Sequence, residues 1–167
     1  MSTIQEIPTF QVDAALIKTF TDSTLNTLKI QCQVDVVPDA PHVKGEKEDL
    51  HAEIAAIVGV NDPKITRTIA IAMTDKFFLK LMTNMLGEPY TQVTSELEDG
   101  AAEILNMIFG MAKVTLNQRG FTLEKAIPTI VRGPSVRMRH RMSDPVYVIP
   151  FKCDGELFQV EFGLMDR

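Results

Sequence analysis

Residues 94–120 read TSELEDGAAEILNMIFGMAKVTLNQRG, and their spacing predicts one long amphipathic helix. Ser95 followed by Glu98 has the form of a capping box, and Gly120 offers a left-handed stop after Arg119. Leu97, Ala101, Ile104, Ile108 and Met111, with Leu105, Ala112 and Leu116 beside them, recur at the spacing of a buried stripe. Asp99, Glu103, Asn106, Gly110, Lys113 and Asn117 alternate steps of four and three, so they form a second stripe that points elsewhere. A Glu and an Asn three apart project side by side, ordinarily from a solvated helix face. Here the company is unusual, because Asn is a poor helix former and Gly110 costs about 1 kcal/mol relative to Ala. The second stripe is therefore the place to look for a close approach by something else.

Outward from this helix, Asp154-Gly155 is a two-residue type I′ turn signal joining Val146–Cys153 to Glu156–Leu164. That turn sets the register: Phe151 faces Phe158, Ile149 faces Val160 and Tyr147 faces Phe162 on one side of the sheet, leaving Gln159 and Glu161 on the exposed side. His51–Val60 and Lys64–Met73 read as a second strand pair around Asn61-Asp62-Pro63. Thr74 or Asp75 caps a helix carrying Phe77, Phe78, Leu81, Met82, Met85 and Leu86, closed by Gly87. Nearer the start, Val12–Lys29 has helical spacing, Ile30–Val37 a short β-like pattern, and Pro38–Asp49 the composition of a loop. Ala126–Val131, entered through Pro128 and ended by Gly133-Pro134, is an edge-strand candidate. Helix, three strands, two helices, three strands is an α+β order, an antiparallel-rich sheet covered by long helices.

A chain of 167 residues suffices for one domain, 1–167, that buries roughly 70 % of its unfolded surface. The net charge of −5 lacks the basic footprint of a nucleic-acid binder, which points to a protein or small-molecule partner. Cys32 and Cys153 have neither disulfide nor zinc spacing, as expected of a protein of the reducing cytoplasm. No apolar run reaches the roughly 18 residues of a membrane span, and MSTIQEIPTF has no secretory pattern. There is no Gly-x-Gly, no Gly-x-Ser-x-Gly, and no metal spacing among His42, His51 and His140, which disfavours nucleotide, esterase and zinc-hydrolase chemistry. The basic cluster Arg132, Arg137, Arg139, His140 and Arg141 reads first as solvated arginines beside a strand, and second as a contact for phosphate or an acidic partner.

Asp99, Glu103 and Asn106, with Gly110, Lys113 and a Pro-to-Gly segment from Pro128 to Gly133, resemble the motif of the CheC/CheX/FliY family of chemotaxis phosphatases, CheX most closely. The motif covers about forty residues, and the order of helices and strands agrees over most of the chain. Two-site members carry a second copy on the first helix. The matching residues here, Thr19, Ser23 and Asn26, lack the Glu, so Asn26 reads as structural and a single-site, CheX-like chain is implied.

The resemblance implies a CheX-like fold and hydrolysis of the phosphoaspartate of a CheY-type response regulator, with Glu103 and Asn106 as catalytic residues and Asp99, Gly110 and Lys113 in contact with the partner. A carboxamide is not basic, but it can orient a water in line with the acyl phosphate. A carboxylate beside a phosphoryl group would repel it unless paired with a partner cation, a regulator lysine by resemblance. No cofactor of the chain's own is implied; Mg²⁺ would sit in the regulator's acidic pocket. A homodimer joined at sheet edges is expected, with no nucleic acid or membrane partner. The alternative is a module of the same fold that binds a regulator or a flagellar switch without turnover.

Overall fold

The computed structural model describes residues 9–45, 48, 50–61, 66–120, 122–125, 127–137 and 146–165. These form α1 (Thr9–Cys32), β1 (Val37–Pro38), β2 (His42–Val43), β3 (Ile54–Asn61), β4 (Thr66–Met73), α2 (Asp75–Leu86), α3 (Ser95–Gln118), β5 (Glu124–Lys125), β6 (Thr129–Arg132), β7 (Tyr147–Cys153) and β8 (Glu156–Met165). All the strand pairs are antiparallel, in the order β1-β7-β8-β4-β3-β5, with β2 also on β7 and β6 also on β3. The α+β architecture expected from the sequence is the one observed. Two-residue strands such as β2 and β5 are too short to show a period. Of the second turn, residues 62–65 lie outside the described residues, as do Arg139, His140 and Arg141 of the basic cluster.

One face of the sheet carries the main core. Ile54, Ala56, Val58 and Val60 of β3, Ile69 and Ile71 of β4, and Phe158 and Val160 of β8 pack against Phe20 and Leu28 of α1, Phe77 and Leu81 of α2, and the buried stripe of α3. The C-terminal hairpin has the register its turn dictates: Phe151 opposes Phe158, Ile149 opposes Val160 and Tyr147 opposes Phe162. Asp154 and Gly155 both take positive φ, 48° and 79°, as a type I′ turn requires.

Four expectations need correction. Gln159 and Glu161 are buried, 5 % and 1 % exposed, because the opposite face is covered as well. Lys44, following β2, reaches Glu161 at 2.8 Å, and Gln159 donates to the other carboxylate oxygen at 3.0 Å, the pairing a buried charge demands. Beside them Ala55, Ala70 and Ala72 form a second small core with Ala52 and Val136, small side chains that let the covering segments lie close.

The β-like pattern at Ile30 belongs instead to α1, which runs on to bury Cys32 one turn beyond Leu28 and ends at Gln33 in the left-handed region. The cap of α3 is Thr94 rather than Ser95: its hydroxyl accepts from the Leu97 amide at 3.2 Å. Two adjacent hydroxyl residues offer the same chemistry, and burial of Leu97 selects between them. Met111, expected in the core, is 38 % exposed at the margin facing α1.

Phe158 sits between two rings, stacked on Phe151 at 4.9 Å and on Phe77 of α2 at 4.7 Å. Truncating Phe158→Ala should therefore cost about 3–5 kcal/mol in denaturant unfolding, and a loss under about 1 kcal/mol would contradict this packing.

Candidate functional site

Once Leu97, Ala101, Ile104, Leu105, Ile108, Ala112 and Leu116 are buried, the rotation of α3 about its axis is set. The second stripe then faces away from the core: Asp99, Glu103, Gly110 and Asn117 are exposed, and Asn106 and Lys113 are half-buried. Glu103 makes no ion pair among the described residues, whereas Asp75, Asp154 and Glu156 are paired with Arg132, Lys80 and Lys76. The Asn106 Oδ1 is buried without a hydrogen-bond partner among the described residues. An acceptor left in that state ordinarily costs about 1–3 kcal/mol, so the fold tolerates it without using it.

The two glycines of α3 differ in what they permit. A Cβ at Gly100 would run into the buried Met82 side chain, so Gly100 serves the packing of α3 on α2. A Cβ at Gly110 would meet nothing within 4 Å. Internal packing gives no reason for Gly110, although glycine weakens the helix there.

The remaining candidates are less involved. Arg132 is bound at the helix starts, 3.0 Å from Asp75 and 4.0 Å from Glu98, and donates to the Val93 carbonyl at 3.3 Å. It ties β6 to the N-termini of α2 and α3. Pro128 is half-buried just before β6, a strand that packs against α3. On α1, Thr19 and Ser23 are buried while Asn26 is exposed, so the position matching Glu103 points inward and Asn26 is not packed as a structural residue. Burial pushes the Cys32 thiol up to about 11 and raises that of Cys153, which leaves neither as a nucleophile. No three His, Cys, Asp or Glu side chains among the described residues are grouped to hold a metal ion, and no helix among them is long and apolar enough to cross a membrane.

Residues 54–152, more than half of the chain, match the family described as chemotaxis phosphatase CheX. The chain belongs to the CheX family. The chemotaxis protein CheX from Vibrio vulnificus superposes with a TM-score of 0.85 at 26 % identity, over 90 % of this chain and 99 % of that one. The CheX of Desulfovibrio desulfuricans gives a TM-score of 0.81 at 28 % identity over the same shares. A CheX-CheY-BeF3-Mg²⁺ complex from Borrelia burgdorferi shares the fold, with a TM-score of 0.74 at 21 % identity over 90 % of this chain and 97 % of that one. No protein of curated function has a sequence matching this chain.

Sequence reasoning missed the apolar residues beside the stripe. Met107 packs half-buried at the edge of the core, Val114 lies exposed off the buried phase of α3, and Ile30 closes α1 in the open. Their signal was visible as apolar residues out of phase with the core stripe.

The two glycines should separate in a stability measurement. Gly110→Ala should raise stability by about 1 kcal/mol, the helix-propensity gain. Gly100→Ala should show no such rise, since overpacking against Met82 costs about 1–3 kcal/mol. Equal gains in thermal denaturation would refute the distinction.

Proposed function

We propose that this CheX-family chain hydrolyses the phosphoaspartate of a CheY-type response regulator by laying the Glu103–Asn106 face of α3 against the regulator's active site. The observation that carries the reading is the placement of Asn106: a half-buried carboxamide one helical step from an exposed acid that makes no ion pair among the described residues, on a face that the core turns outward. The CheX-CheY-BeF3-Mg²⁺ complex of the Borrelia burgdorferi relative supports a CheY-type partner.

The chemistry needs positioning more than acid or base strength. A water held by Asn106 attacks phosphorus, the bond to the aspartyl oxygen breaks, and the water's proton leaves with the phosphate. The regulator's carboxylate is thereby restored. Asn106 both donates and accepts, so it can hold that water in line. Glu103 pairs with a cation of the regulator, a lysine, and Asp99 and Lys113 complete the contact. Mg²⁺ is assigned to the regulator's own acidic pocket.

A homodimer joined edge to edge belongs to the same proposal. Val37 and Val43 of the short strands β1 and β2 are 65 % and 52 % exposed at one sheet edge, where a second copy would cover them. Sedimentation should give twice 18.6 kDa at micromolar concentration; a mass of 18.6 kDa throughout would refute the dimer.

The two site roles separate under mutation. Asn106→Ala should slow regulator dephosphorylation by about 100-fold, about 2.7 kcal/mol of barrier, with binding nearly unchanged. Glu103→Ala should weaken binding as well as rate, in a manner sensitive to salt. An unchanged rate in Asn106→Ala would remove the catalytic assignment.

A further inference from the structure

An open groove lies beside the outer stripe, between α1 and α3. Thr27, Ile30 and Gln31 of α1 and Met107, Gly110, Met111 and Val114 of α3 border a space of about 380 Å³. Ile30 and Val114 are 64 % and 61 % exposed, far more than a helix interface needs. The hydroxyl of Thr27 is engaged with the Met111 sulfur at 3.1 Å, and no charged side chain among the described residues borders the groove. An arriving group therefore meets mainly hydrocarbon and a polarizable thioether, with the uncharged carboxamide of Gln31 at one side, a surface that adapts to an apolar side chain.

Gly110 joins the groove to the stripe. It belongs to the row of Asp99, Glu103, Asn106 and Lys113, and it also borders the groove. Nothing among the described residues requires its missing Cβ, so the glycine lowers the groove wall where the two surfaces meet. Charge along the row has a direction as well. Asp99 and Glu103 lie on the N-terminal side of this junction and Lys113 beyond it, so the complementary surface presents a cation, then an apolar group, then an acid.

We infer that the α1–α3 groove receives an apolar side chain of the phosphorylated response regulator, held between a cationic group facing Asp99 and Glu103 and an acidic group facing Lys113. This rests on the proposed function for the identity of the partner. It adds the contact that sets affinity, so Ile30, Gly110 and Val114 determine which regulator is accepted and touch none of the reacting atoms.

The test uses the full chain with Ile30→Ser and Val114→Ser, both at exposed positions where folding is not at stake. Affinity is titrated against a CheY-type regulator held active with BeF3 and Mg²⁺, and turnover is measured with the regulator phosphorylated by acetyl phosphate. Each variant should weaken affinity by at least about fivefold, the loss appearing in KM rather than kcat. Gly110→Leu, which fills the groove, should weaken it further. Unchanged affinity in both serine variants would overturn the inference even where the unmodified chain turns the regulator over. If the unmodified chain gave no turnover but affinity still fell in the serine variants, the phosphatase reading would fail and the docking groove would stand. Dissociation of a dimer by Val114→Ser would assign the groove to a second copy of the chain and overturn the inference.

Discussion

The arrangement of this chain depends on the rotational phase of α3. Eight of its side chains, from Leu97 to Leu116, are buried against the sheet and its neighbours, and a helix so anchored cannot turn about its axis without exposing them. Residues three and four apart share a face, so fixing one stripe fixes every other. Glu103, Asn106 and Gly110 are thus presented outward by contacts they do not themselves make. The Thr94 cap and the Arg132 bridges to Asp75 and Glu98 hold the start of the same helix. A site built this way sits on a rigid element, which suits chemistry that asks for position rather than for a reactive side chain.

The two long helices differ at matched positions. Glu103 of α3 is exposed, whereas Ser23 at the corresponding place on α1 is buried. An acid at position 23 would meet core instead of a partner, at a desolvation cost that an unpaired charge does not recover. Asn26 remains exposed beside it without the acid. The proposed function therefore rests on the face of α3 alone, with α1 contributing one wall of the neighbouring groove. Under the proposed function the chain would bring little chemistry of its own: a carboxamide to orient water, a carboxylate to dock, and hydrocarbon beside them.

Much of this was legible in the sequence, for reasons that particular residues make clear. Asp154-Gly155 admits one turn type, so every cross-strand pair of the hairpin followed, from Phe151–Phe158 to Tyr147–Phe162. The outer stripe of α3 was legible because helical geometry ties spacing to direction. What covers a face is a tertiary fact and leaves no period. Gln159 and Glu161 alternate as solvent-facing residues do, yet Lys44, more than a hundred residues away in the chain, closes over them. Ile30 and Cys32 suit a strand or a helix equally, and only the burial of Cys32 decides. Met111 and Val114 look like core or surface by hydropathy alone, and their placement at an open groove needed α1 beside α3.

The central claim is that this chain turns over its partner rather than merely holding it. The most direct measurement follows phosphate release from a phosphorylated CheY-type regulator with the chain present at a small fraction of the regulator's concentration. The account predicts release faster than the regulator's own loss, proportional to the amount of chain, and continuing past many equivalents. Release at or below the regulator's own rate would contradict it, because a surface that only binds protects the phosphoaspartate or leaves it unchanged.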